Sequence, residues 1–151
     1  IDSSILILGA GGAARGIVPP LLEQIPAEII IANRNIDKAR NLANAFADLG
    51  TLNASGFESL TDKKFHLVIN ATSAGLEGEL PPFPESIIGP ETICYDLSYS
   101  MRDTPFITWA KEHGCNNAFQ GWGMLVEQAA ESFAIWRDVR PETGSVLRQL
   151  P

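Results

Sequence analysis

The sequence is poor in the residues that build covalent staples and metal centres. It has two cysteines, Cys94 and Cys115, and two histidines in 151 residues. Two thiols do not make the disulfide framework of a small secreted domain, so buried thiols in a reducing, cytoplasmic compartment are expected. His113 stands two residues before Cys115, but two candidate ligands do not close a metal site, and no metal is expected. Cations are scarce as well. Eleven Lys and Arg stand against eighteen Asp and Glu, a net charge of −7, which argues against nucleic acid and anionic membranes as partners. No apolar run is long enough to span a bilayer, and none reads as a signal peptide ahead of the first strand. The chain also lacks an initial methionine. It opens Ile1-Asp2 and enters a strand almost at once, which reads as a piece of a longer protein, so activity is not to be assumed to reside in this piece alone.

What is present is an ordinary globular composition, 45% hydrophobic and 19% charged, with length for one domain over 1–151. Its organising stretch is Ser4 to Gly16, S-I-L-I-L-G-A-G-G-A-A-R-G. Ile5 to Leu8 reads as a strand buried on both faces, the habit of parallel sheets. After the turn at Gly9-Ala10-Gly11-Gly12, Ala13, Ala14, Ile17, Val18 and Leu21 fall at helical spacing. Gly9, Gly11 and Ala14 fit G-x-G-x-x-[GA]. The first position allows a tight turn, the second lets a pyrophosphate approach the backbone, and the third stays small so that helix and strand pack. The helix N-terminus left behind offers unpaired N–H groups and a partial positive charge to an anion.

Glu28 to Ala32 is a second buried strand, completing a β-α-β unit. Pro19 and Pro20 fall inside the first helix pattern, where a kink or an early break is expected. Asp37 to Asp48 reads as a helix with Ala39, Leu42, Ala43 and Phe46 inward. Thr51 to Ser55, Leu67 to Asn70, Ile93 to Asp96 and Asn117 to Phe119 are further strands. Glycine and proline accumulate between Leu76 and Pro90, which marks a loop. Pro105 to His113 is a short helix started by Pro105 and stopped by Gly114. Gly123 to Trp136 is the longest helix, with Met124, Leu125, Ala129, Phe133 and Trp136 expected on its core face, and a weak helix follows Pro141. The alternation implies a doubly wound parallel sheet of α/β class with strand order 3-2-1-4-5-6 and ligands at the carboxyl ends of its strands.

The residues at those ends carry the chemistry. An NAD site would place Asp or Glu after the second strand to hold the ribose 2′-hydroxyl. Here the sequence is Asn33-Arg34-Asn35-Ile36-Asp37-Lys38, with no carboxylate at Asn33 to repel a 2′-phosphate and a guanidinium beside it. NADP is therefore favoured. Arg15, Arg34, Lys38 and Arg40 form the one basic cluster in an acidic chain, a local positive island for phosphate. Asn70-Ala71-Thr72-Ser73 can bond ribose or a carboxamide, or simply cap the strand end. Asp96 reads as a general acid or base, or as the cap of the next turn, and Tyr99 as a phenol for substrate or as packing. Met124 and Gln128 lie one turn apart on one helix face, looking into the cleft or into core and solvent respectively.

Taken together, five motifs resemble one family. They are G-A-G-G-A-A-R-G at Gly9 to Gly16, N-R-N at Asn33 to Asn35, N-A-T-S at Asn70 to Ser73, Y-D-L-S-Y at Tyr95 to Tyr99 and G-x-G-M-L-V-x-Q at Gly121 to Gln128. In this order, over nearly the whole chain, they resemble the C-terminal NADP-binding domain of shikimate dehydrogenase, a Rossmann-type fold. The resemblance implies reversible reduction of 3-dehydroshikimate to shikimate by NADPH, a step of aromatic amino-acid biosynthesis, in a monomer or homodimer. By this likeness Gly9, Ala10, Gly11, Gly12, Ala13 and Ala14 hold the pyrophosphate, and Asn33, Arg34, Asn35 and Lys38 the adenosine 2′-phosphate. Thr72, Ser73, Leu97, Gly121 and Met124 line ribose and nicotinamide, and Tyr99 and Gln128 reach the substrate's hydroxyls or carboxylate.

The chain departs from the family at Asn35 and Lys38, where Thr and Arg are usual. The family's catalytic Lys–Asp pair belongs to an N-terminal substrate domain that this chain lacks, so no catalytic residue is assigned here. The chain by itself is expected to bind NADPH without turnover. Rival readings are a quinate-using relative, a glutamyl-tRNA reductase-type enzyme and a nucleotide-sensing module without chemistry. Quinate relatives usually prefer NAD, against the Asn33-Arg34 pair, and a sensor has no need of Tyr99 and Gln128 facing a second ligand.

Overall fold

Side chains along a strand alternate between its two faces, and in β1 (Ser4–Leu8) both faces are apolar. The computed structural model, which describes residues 3–73 and 80–150, buries both. Ile5 and Ile7 join one core, Leu6 and Leu8 the other. Leu6, Ile7 and Leu8 have no exposed surface, and each such side chain contributes about 1.5–3 kcal/mol by leaving water.

The chain continues through α1 (Gly12–Leu22), β2 (Glu28–Ala32), α2 (Ile36–Ala45), β3 (Asn53–Ser55), β4 (Leu67–Asn70), β5 (Ile93–Asp96), α3 (Pro105–Glu112), β6 (Asn117–Gln120), α4 (Trp122–Arg137) and α5 (Gly144–Leu147). The six strands form one parallel sheet in the expected order, β3-β2-β1-β4-β5-β6. β1 is central, with Ile7 opposite Ile31 on β2 and Ile69 on β4. Ala14 and Val18 of α1 and Ala39, Leu42 and Ala43 of α2 pack against one face. Phe106, Ile107 and Ala110 of α3 pack against the other, with Phe57, Phe83 and Ile87. Winding therefore reverses beside β1, and a crevice opens there at the strand ends.

Of the kink or early break expected at Pro19 and Pro20, the break does not occur: both lie inside α1, which continues through them to Leu22. Proline removes its own N–H, so the carbonyls of Arg15 and Gly16 lose their partners. Arg15 and Gly16 are both exposed, so neither carbonyl is shut away from solvent. One expectation is corrected at α4. Ala130 is its buried residue, whereas Ala129 is exposed, Phe133 is 45% and Trp136 79% exposed. The helix packs on α5, where Leu147 approaches Gly123. Polar ties hold the pair. Thr143 Oγ1 donates to Glu127 Oε1 at 2.7 Å, and Arg140 pairs with Glu127 at 2.6 Å and also with Glu131.

Boundaries elsewhere move by a residue or a few, as at α2, which ends at Ala45, and β3, which starts at Asn53. The loop expected between Leu76 and Pro90 lies outside the described residues over 76–79; from Glu85 to Ile87 it makes a 3-10 turn. Among the described residues no helix is long and apolar enough to cross a membrane.

Candidate functional site

The turn after β1 is built by one glycine and left open by two others. Gly9 sits at φ +102°, a conformation that suits glycine, and its N–H donates to Ala32 O at 2.7 Å. A Cβ here would meet Ala71 O at 2.9 Å and Thr72 Cγ2 at 3.2 Å. At Gly11 and Gly12 a Cβ would meet nothing within 4 Å, and both glycines line a cleft of about 790 Å³. Gly11 is the N-cap of α1 without a side-chain cap, and no acidic residue occupies the first turn. The orphan N–H groups of that turn therefore remain for a ligand anion. Ala14 does not line the cleft. It is fully buried beneath α1, where a small side chain lets helix meet sheet.

The cleft is lined by Gly9 to Ala13, Asn33 to Asn35, Lys38, Phe57, Ala71 to Ser73, Pro81, Leu97 and Ser98. Among the described residues no carboxylate lines it, in a chain of net charge −7. Its charged side chains are Arg34 and Lys38, and among the described residues neither forms a salt bridge. Arg15 and Arg40, expected in the same basic island, are engaged elsewhere. Arg15 lies over the Phe46 ring at 5.6 Å, and Arg40 pairs with Asp37 at 3.0 Å.

The segment after β2 is held by its own hydrogen bonds. Asn33 N–H donates to Ser55 O at 3.1 Å, and Asn33 Nδ2 donates to Asn35 O at 2.9 Å. Asn35 Oδ1 caps α2 by accepting from Asp37 N at 2.9 Å. An amide has two donor hydrogens besides its oxygen, so Asn35 can cap the helix and still present Nδ2 to the cleft.

On the other side of β1 the strand ends are tied by a buried carboxylate. Asp96 has no exposed surface. Its Oδ1 accepts from Asn70 Nδ2 at 3.1 Å and Ser98 N at 3.0 Å, and its Oδ2 accepts from Thr104 Oγ1 at 2.5 Å. Asn70 Oδ1 in turn accepts from Thr72 N at 3.2 Å and Thr72 Oγ1 at 2.7 Å. Burial raises the Asp96 pKa, and the bonds from Thr104, Ser98 and Asn70 partly offset that rise. Asp96 thus caps the next turn and is sealed from the cleft, which removes it as a general acid or base.

Gly121 is buried against the back of this loop. Its N–H donates to Ser98 O at 3.0 Å, and a Cβ would run into the Leu97 carbonyl. Met124 is half-buried in the first turns of α4, and Gln128 is exposed. Tyr99 is 45% exposed with its ring 4.7 Å from that of Trp122. None of these four is among the cleft-lining residues. Phe57, Pro81 and Ser98 do line it without having been expected. Ser98 stands inside the Asp96–Tyr99 motif, whereas Phe57 and Pro81 arrive from loops whose path only the fold defines.

His113 and Cys115 turn to separate partners. His113 Nδ1 donates to Trp109 O at 2.7 Å, and Cys115 Sγ donates to Thr92 O at 3.2 Å. Among the described residues no three candidate ligands cluster for a metal.

The family profile described as shikimate / quinate 5-dehydrogenase matches residues 1–77, and that of the shikimate 5′-dehydrogenase C-terminal domain matches 121–150. A shikimate dehydrogenase (NADP(+)) of Alkalilimnicola ehrlichii is 53% identical over 97% of this chain and 54% of its own length. The crystal structure of an Ael1 enzyme from Pseudomonas putida is 46% identical with a TM-score of 0.90, over 99% of this chain and 56% of that one. The Thermus thermophilus shikimate 5-dehydrogenase, crystallised with NADP(H) and shikimate, is 33% identical with a TM-score of 0.73, over 91% of this chain and 50% of that one. The chain thus spans about half the length of the curated relatives it matches. With its glycine turn, parallel sheet and two matching profiles, the chain belongs to the shikimate/quinate 5-dehydrogenase family.

Proposed function

We propose that this chain is the NADP(H)-binding half of a dehydrogenase that reversibly reduces 3-dehydroshikimate to shikimate. The observation that carries the cofactor choice is the end of β2. Arg34 and Lys38 line a cleft that no described carboxylate enters, beside a glycine turn with room for a pyrophosphate. The N-terminus of α1 holds the pyrophosphate, and Asn33, Arg34, Asn35 and Lys38 hold the 2′-phosphate. Thr72, Ser73 and Leu97 receive the second ribose and the nicotinamide, with Gly121 and Met124 behind them. Bound there, the dinucleotide supplies the hydride.

Reduction of a carbonyl also needs a proton at its oxygen, and among the described residues no ionisable side chain besides Arg34 and Lys38 lines the cleft to supply it. Lys38 stands at the adenosine end and Asp96 is sealed beneath the floor. Lys111 and Asp103 pair at 2.6 Å, but both are partly exposed and line a separate hollow beside Phe119 and Trp122. The proton therefore comes from a second domain, as do most substrate contacts, with Tyr99 and Gln128 reaching substrate from this side. The greater length of the relatives and the uncovered apolar side of α4 support that two-domain reading.

The test is titration of the chain with NADPH and NADH, followed by nicotinamide fluorescence, and an assay with dehydroshikimate. NADPH binds at least about tenfold more tightly, as one charge-assisted hydrogen bond requires, and no shikimate forms. Equal affinity for both dinucleotides would remove the NADP assignment, and turnover by the chain alone would remove the division of labour.

A further inference from the structure

Asp96 is a carboxyl group buried with no cation paired to it among the described residues. It has no exposed surface, and each group hydrogen-bonded to it donates: an amide NH₂ from Asn70, a backbone N–H from Ser98 and a hydroxyl from Thr104. Thr104 Oγ1 accepts from Ile107 N at 3.3 Å as the cap of α3, which leaves its proton for Asp96 Oδ2. Asn70 is oriented from both ends. Its oxygen accepts twice from Thr72, so its NH₂ must face the carboxylate. Turning the Asn70 amide over would set donor against donor at Thr72 and acceptor against acceptor at Asp96. Burying a carboxylate is costly unless its hydrogen bonds repay the lost hydration, and a core position filled only for packing is met more cheaply by an apolar side chain.

The segments that Asp96 ties are those lining one half of the cleft. Through Asn70 it orients Thr72, and through Ser98 N–H it holds the Leu97–Ser98 turn. A doubly wound sheet binds the two mononucleotides on opposite sides of the switch point. Arg34 lies on the β2 side, so the segments tied by Asp96 lie under the other mononucleotide, the nicotinamide one. We infer that Asp96 is the positioning residue of the nicotinamide half of the cleft, acting through Asn70 on Thr72 and through the Ser98 amide on the Leu97–Ser98 turn. This rests on the NADP(H) reading above.

The experiment compares two ligands on one variant. NADPH spans both halves of the cleft, whereas adenosine 2′,5′-bisphosphate occupies the adenosine half alone. In Asp96→Asn a neutral amide oxygen replaces the carboxylate as acceptor for Asn70 and Ser98, and an NH₂ group faces Thr104. Calorimetric titration of Asp96→Asn is expected to show NADPH weakened at least about fivefold and the bisphosphate changed by less than about twofold, since loosened positioning costs affinity only where the positioned groups make contact. Equal weakening of both ligands, or unchanged NADPH binding, would overturn the assignment. If the parent chain bound neither ligand, the cofactor reading itself would fail, a result separate from any change in the variant. Should Asp96→Asn show no cooperative melting, Asn70→Ala removes the link between Asp96 and Thr72 and leaves Asp96 its bonds from Ser98 and Thr104. It is read by the same two ligands, with NADPH weakened at least about threefold and the bisphosphate unchanged as the supporting result. An equal response of both ligands, or none, would overturn the assignment.

Discussion

Gly9 packs directly on the backbone of Ala71: a methyl group on Gly9 would stand 2.9 Å from the Ala71 carbonyl oxygen. This contact joins the first turn of the dinucleotide fingerprint to the end of β4 across the switch point. Gly9→Ala therefore meets a forbidden φ and a fixed carbonyl together. A residue held in such a conformation loses about 1–3 kcal/mol from backbone strain alone, and urea denaturation should show at least that loss. Stability equal to the parent's would mean that the turn is built differently.

Gly12 is the opposite case. It is the first residue of α1, and a methyl there meets no atom within 4 Å. Gly12→Ala is expected to hold or raise stability by up to about 1 kcal/mol, the usual helix preference of Ala over Gly. The same methyl projects into the cleft and should weaken NADPH binding. Unchanged affinity would place the pyrophosphate elsewhere.

Arg34 and Arg40 are six residues apart in sequence, but only Arg34 lines the cleft; Arg40 pairs with Asp37 at 3.0 Å in solvent. Arg34→Ala should weaken NADPH at least about tenfold while sparing NADH, since a hydrogen bond to a charged group is worth about 1.5–3 kcal/mol. Arg40→Ala should leave both affinities unchanged. An equal loss of NADH in Arg34→Ala would show that Arg34 does not select for the 2′-phosphate.

The raised pKa of Asp96 has a definite sign in stability. Burial, the leading cause, lifts it above its ordinary value of 3.8, so the folded chain binds the proton more tightly than the unfolded chain. Stability from this group is fully present below pH 3.8, is lost as pH rises through the raised folded value, and is flat above it. Asp96→Asn removes that dependence. Urea-derived stabilities from acid to neutral pH should show the parent losing ground to Asp96→Asn as pH rises. Parallel pH profiles would show that the Asp96 pKa is unperturbed.

Trp136 is 79% exposed and Leu6 is not exposed at all. Trp136→Ala should change the stability of this chain by no more than about 0.5 kcal/mol. Leu6→Ala should cost about 2–5 kcal/mol, the range for a buried leucine truncated to alanine. A large cost at Trp136 would mean that α4 folds back onto the sheet.

The cleft wall beside β1 and β2 was legible because its parts are close in sequence. Gly9 to Ala13 and Asn33 to Lys38 each come from a single strand-to-helix turn. The wall beside β4 and β5 was legible only as separate motifs. Asn70 and Asp96 are 26 residues apart and Thr104 is eight further on, so nothing in their local pattern reveals that they share one carboxylate. The face of α4 misled for a related reason. A helical stripe of Leu125, Ala129, Phe133 and Trp136 shows which side is apolar, not which element covers it.

Sequence by itself determined the strands and their parallel order. Four-residue apolar runs are stable only when both faces are covered, and right-handed crossovers then leave one winding. Tertiary structure decided which cations meet the cleft, that Asp96 is sealed beneath it, and that Ala129, Phe133 and Trp136 of α4 stay exposed. Those outcomes depend on distances between segments remote in the chain, and local residue pattern carries no record of such distances.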